Sequence, residues 1–172
     1  MTKILIPSET SSGERRVSAT PEAVKKLKSL GCDVYIESSA GKLSGFSDLS
    51  YEESGGTIIS NLDQKIWGEA DLIFCVQTPS EDNLTNLKKG AVLLGLLNPY
   101  GNKDLLRIIS SNKISALSLE LLPRISRAQS SDVLSSQANI AGYKAVLLAA
   151  SELDRYFPML MTAAGTVQPA KV

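Results

Sequence analysis

The 172-residue chain contains no histidine. Imidazole is the usual acid–base group near neutral pH and the commonest metal ligand. Its absence removes histidine-activated nucleophiles and histidine proton shuttles. Cysteine is scarce: Cys32 and Cys75 stand alone in apolar runs, without zinc-site spacing. Two buried, reduced thiols and no metal are expected. Long apolar runs are also missing. The longest, AVLLGLL at 91–97, falls far below the roughly 20 residues that span a bilayer. The opening MTKILIPSE is broken too early by Pro7 and Glu9 to act as a signal peptide. Charge is balanced, with 18 Lys plus Arg against 18 Asp plus Glu, which argues against a nucleic-acid scaffold or a basic membrane-surface protein. Neither GxGxxG nor GxxxxGK[ST] occurs, and GKLSG (41–45) and SGG (54–56) read as turns, not phosphate cradles. A soluble, cytosolic chain is expected.

Short apolar runs with helical patterns between them are what the sequence does contain. KILIP (3–7), CDVYIE (32–37), TIIS (57–60), DLIFCV (71–76), AVLLGLL (91–97) and ISALSLE (114–120) read as strands. Most are continuous apolar runs, as when both faces of a parallel sheet are covered. TPEAVKKLKSLG (20–31) reads as a helix, with Thr20 as N-cap, Pro21 in the first turn and Gly31 as the stop. FSDLSYEES (46–54), SEDNLTNLKKG (80–90) and NKDLLRIISSN (102–112) read as further helices, and 62–67 as a weaker one. Alternating strands and helices with right-handed crossovers predict an α/β fold: a doubly wound, mostly parallel, flavodoxin- or Rossmann-like sheet with flanking helices, followed by a long linking helix from about Asp132 to Tyr156.

Two polar loops fall where such sheets gather ligands, beyond the carboxyl ends of strands. SETSSGERRVSATPE (8–22) carries Arg15 and Arg16; PRISRAQSSD (123–132) leads into the long helix. Arginine offers a fixed fork of donors to carboxylate, phosphate or amide oxygen. Asp132 and Ser135, three apart in a first helical turn, share one side. Each feature has a plainer account. Asp132 is well placed to cap a helix, Ser135 to sit on its surface, and Glu14 with Arg15 to form a solvated pair.

GERRVSATPEAVKKL (13–27), PRISRAQSSDVLSSQANIAGYKAV (123–146) and FPMLMTAAGTVQPAKV (157–172) resemble the alpha subunit of proton-translocating NAD(P) transhydrogenase, in the family shared with alanine dehydrogenase. The resemblance implies an NAD(H)-binding enzyme component that passes hydride to NADP(H) held by a partner subunit. It further implies a homodimer, membrane proton-channel partner subunits, and a location in the cytoplasm peripheral to the membrane. It places Arg124, Ile125, Ser126, Gln129, Asp132 and Ser135 against the cofactor. Arg124 would orient the carboxamide and nearby phosphate region, while Asp132 and Ser135 would hydrogen-bond the nicotinamide ribose and carboxamide. Gln129 would sit at the hydride-transfer junction, and Gln129 with Asp132 would be the catalytic pair. Alanine dehydrogenase resembles the chain at Arg16, but implies a catalytic lysine where Gln77 stands and a histidine where Leu97 stands. Neither residue is an acid or base near neutral pH.

The same likeness divides the chain into an α/β domain (1–125), a loop and linking helix (126–157), and the start of a dinucleotide-binding domain (158–172). Lys171 and Val172 look like the opening of a strand. With the glycine-rich turn absent, the 172-residue chain alone is expected to bind NAD weakly and to be inactive.

Overall fold

The structure, a computed structural model, describes residues 1–60 and 63–171. The chain divides into two units, Met1–Pro123 and Arg124–Val172. The first is a six-stranded parallel sheet of β1 (Lys3–Ile6), β2 (Asp33–Glu37), β3 (Thr57–Ile59), β4 (Leu72–Phe74), β5 (Val92–Gly95) and β6 (Ser115–Ser118). The strand order is β3-β2-β1-β4-β5-β6, the order of Rossmann sheets. Winding runs outward both ways from the β1–β4 pair, as the alternating pattern predicted. Each strand lies inside its expected run, trimmed at the ends.

Helices α1 (Pro21–Ser29), α2 (Asp48–Glu53), α3 (Gln64–Glu69), α4 (Glu81–Thr85) and α5 (Lys103–Asn112) connect the strands. Local chemistry sets their starts. The side chains of Thr20, Ser47, Asp63, Ser80 and Asn102 each accept a first-turn amide. Gly31, at φ +82°, follows α1 in the left-handed region. The 80–90 run is helical only to Thr85, with Asn86 as its C-cap. The weak 62–67 helix appears as α3, although Leu62 lies outside the described residues.

The alternation of side chains across the sheet makes two cores. Leu5, Ile73 and Leu93 face Trp67 of α3, Leu84 of α4 and Leu105 of α5. Ile4, Ile6, Val34 and Ile36 face Val24 of α1 and Tyr51 of α2. The Tyr51 hydroxyl, within the second core, donates to Ala19 O at 2.8 Å, so its polar end is satisfied. Strands β4 and β5 approach closely at Gly95, where a Cβ would lie 2.7 Å from Cys75 O. Cys75 is buried as expected, whereas Cys32, just ahead of β2, is half-buried.

In the second unit, a 3-10 turn (Ser126–Ser131) precedes α6 (Val133–Glu152) and a hairpin of β7 (Leu160–Thr162) and β8 (Gly165–Val167). Helix α6 stops four residues short of Tyr156. Its last turn carries no basic residue, Glu152 and Asp154 oppose the helix dipole, and Pro158 disfavours helix in the residue before it. The hairpin had no counterpart among the sequence expectations. Lys171 falls in no element, and Val172 lies outside the described residues. Among the described residues, no helix is long and apolar enough to cross a membrane.

Candidate functional site

In the first unit, the crevice between the carboxyl ends of β1 and β4 is the topological switch point, where open α/β sheets ordinarily take ligands. Here the chain's own carboxylates fill it. Glu9 accepts the amides of Val76 at 2.5 Å and Gln77 at 2.9 Å. Burial pushes its carboxyl up despite these two amides, with Glu14 adding a like charge.

Glu14 gathers five donors. They are the Arg16 Nη2 at 2.6 Å, Arg16 Nε at 2.8 Å, Gln77 Nε2 at 3.0 Å, and the amides of Arg16 at 3.0 Å and Arg15 at 3.1 Å. Its side chain is 8% exposed against 40% for Arg16, and the guanidinium above all holds its carboxyl down to about 2. The solvated Glu14–Arg15 pair expected from sequence is therefore corrected: the partner is Arg16 and the pair is largely enclosed. Ser18 Oγ donates to Phe74 O at 2.8 Å, and Ser8 N to Glu37 Oε2 at 2.7 Å, completing the attachment of the 8–18 loop. The cavity under this loop, lined by Pro7, Trp67, Cys75 and Thr78 among others, holds about 30 Å³, room for about one water.

The second polar loop lies in the other unit and has a different character. Ile125 is extended (φ −124°, ψ 157°) ahead of the 3-10 turn. Ala128 N donates to Ile125 O at 3.0 Å and Asp132 N to Gln129 O at 3.3 Å. Asp132 then caps α6, accepting from Ser135 N at 3.1 Å and from Ser135 Oγ at 2.6 Å. These two donors and the nearby Arg124 charge hold its carboxyl below the usual range.

Of the six residues predicted from sequence, the structure thus brings Asp132 and Ser135 into direct contact, with Arg124 in electrostatic reach. Gln129 enters through its backbone carbonyl. Arg124, Ile125, Ser126, Gln129 and Ser135 are exposed and Asp132 is half-buried. Cation, amide, carboxylate and hydroxyl are presented together on one turn. Among the described residues, no group of three or more Asp, Glu or Cys could hold a metal ion.

A strand order of this kind, with a polar turn leading into a long helix, defines the class. The family described as "Alanine dehydrogenase/PNT, N-terminal domain" matches residues 5–141, and the chain belongs to it. It is 46% identical over 175 residues to the first of the polypeptides that make up NAD(P) transhydrogenase subunit alpha of Rhodospirillum rubrum, covering 99% of this chain and 45% of that protein. It is 31% identical over 147 residues to alanine dehydrogenase 1 of Staphylococcus aureus, covering 86% and 38% respectively. A solved transhydrogenase from Sinorhizobium meliloti superposes with a TM-score of 0.86 at 44% identity, over 98% of this chain and 48% of that one. The chain thus spans about half the length of these transhydrogenase relatives.

Proposed function

We propose that the chain is the N-terminal part of the NAD(H)-binding component of a proton-translocating transhydrogenase. In this reading the Arg124–Ser135 turn positions the nicotinamide end of NADH for hydride transfer to NADP on a partner subunit. The observation that carries it is the hydrogen-bonded Asp132–Ser135 pair, with Arg124 in electrostatic reach, at the start of α6. The 46% identity to a transhydrogenase alpha subunit supports it.

The residues fit the group. A carboxamide offers one acceptor and one NH₂ donor, which Arg124 and Asp132 complement, and ribose hydroxyls suit Asp132 and Ser135. Bound nicotinamide supplies hydride and electron pair in one transfer, so the protein's work is orientation rather than acid–base chemistry. Arg124 fixes the carboxamide, Asp132 and Ser135 fix the ribose side, and Ile125 and Ser126 line the same surface. Gln129 sits at the junction with the NADP-bearing partner. A homodimer, peripheral to the membrane through proton-channel subunits, completes the assembly.

The test joins this chain to the remaining half of the Rhodospirillum rubrum relative, adds the NADP-binding partner, and follows transfer from NADH to an acetylpyridine analogue of NADP. Arg124→Ala and Asp132→Ala are expected to lower the rate about a hundredfold, the usual consequence of misplacing one reactant. Unchanged rates in both variants defeat the site assignment. Amination of pyruvate by the same protein is expected to be absent. Gln77 is occupied with Glu14, and Leu97, 1% exposed, is sealed in the core.

A further inference from the structure

The two faces of the parallel sheet are unequally covered. Helices α3, α4 and α5 bury one face, while α1 and α2 bury the other over β1 and β2. Strand register carries that second face on across β4, β5 and β6. Leu72 and Phe74 lie beside Val92 and Leu94, which lie beside Ser115 and Leu117. Along this strip burial fails. Leu72, Phe74, Val92 and Leu94 are only half-buried, and Leu117 is 56% exposed. Among the described residues, Val92 and Leu94 belong to neither core.

Parallel strands are ordinarily covered on both faces, and by helices, because their crossover connections place helices there. Three strands about 4.8 Å apart make a strip about 10–14 Å wide, the width of one helix with its side chains. The strip carries no charge, and Ser115 is its one polar member.

We infer that the β4–β6 face, from Leu72 to Leu117, is the docking surface for one amphipathic helix belonging to the part of the subunit that the relatives carry and this chain does not span. The relatives are about twice this length, which leaves ample chain for such a helix. The first unit's own helices α1 to α5 each already place a buried residue in one of the two cores. A second copy could therefore offer only its α6, and that is the competing outcome. The inference rests on family membership, not on the hydride-transfer reading.

The test compares maleimide labelling of Leu117→Cys in this chain and in the same chain extended by the remaining half of the Rhodospirillum rubrum relative. Labelling is expected to slow about tenfold or more in the extended protein, as for a site exposed only by local opening. Leu30→Cys, at a position 78% exposed beyond α1, is expected to react equally in both. Equal Leu117→Cys rates in a cooperatively folded extended protein overturn the inference.

A second measurement needs only this chain. Leu94→Lys/Leu117→Lys is expected to lose most binding of a hydrophobic dye while its Tm moves by no more than about 4 °C. A drop beyond about 10 °C would show that the strip belongs to the chain's own packing. Sedimentation that finds a dimer converted to monomer by Leu117→Lys would assign the face to a second copy. Either result overturns the inference.

Discussion

The two units treat their polar groups in opposite ways. In the first, the loop beyond β1 turns its carboxylates inward, and Glu9 and Glu14 hold the place where a sheet of this order usually takes a ligand. In the second, the turn before α6 leaves its arginine, glutamine and serine exposed. The apolar side chains invert in the same sense. Ile4, Ile6 and Leu93 are at most 1% exposed, whereas Ile140, Tyr143 and Leu148 on α6 are 61%, 70% and 51% exposed. A helix with no buried residue and apolar side chains on every side is built to be covered. One unit is therefore a closed scaffold, and the other presents surface.

Core substitution sharpens that contrast most. Leu93→Ala is expected to cost about 2–5 kcal/mol in urea unfolding, and Leu148→Ala no more than about 0.5 kcal/mol. Comparable losses would mean that α6 is packed after all.

Glu14 comes next. Glu14→Gln breaks the bidentate pair with Arg16 and is expected to cost about 1–3 kcal/mol near pH 7. Because the folded carboxyl is held down to about 2, its contribution is fully present above the ordinary carboxylate range. It fades as pH falls through that range toward the folded value. The gap between wild type and Glu14→Gln should therefore narrow on acidification, and a constant gap from pH 7 to pH 3 would contradict the ion-pair account. Tyr51→Phe, which removes only the buried bond to Ala19, is expected to cost about 0.5–1.5 kcal/mol in the same unfolding assay.

What was legible in the sequence follows from how far apart the interacting residues lie. Strands announced themselves as apolar runs, and helix starts as Thr20, Ser80 or Asp132, because the cap and its amide sit three residues apart. The carboxylate network was not legible. Glu9 reaches Val76 across 67 positions and Glu14 reaches Gln77 across 63, so only the folded β1–β4 pairing brings them together. The β7–β8 hairpin escaped for a different reason. Its Ala163-Ala164 turn lacks the Asn-Gly or Asp-Gly signature of tight hairpins. The Asp132–Ser135 pair was legible as a geometry, while its role came from family resemblance.

The most direct test of the central claim is the hydride-transfer rate of Asp132→Asn in the extended subunit with its NADP-binding partner. Asparagine keeps the shape and an N-cap acceptor for α6 but removes the carboxylate. The account predicts an unchanged thermal transition and a transfer rate lowered about a hundredfold. A wild-type rate in a protein of wild-type stability would show that Asp132 only caps the helix and that the nicotinamide is held elsewhere.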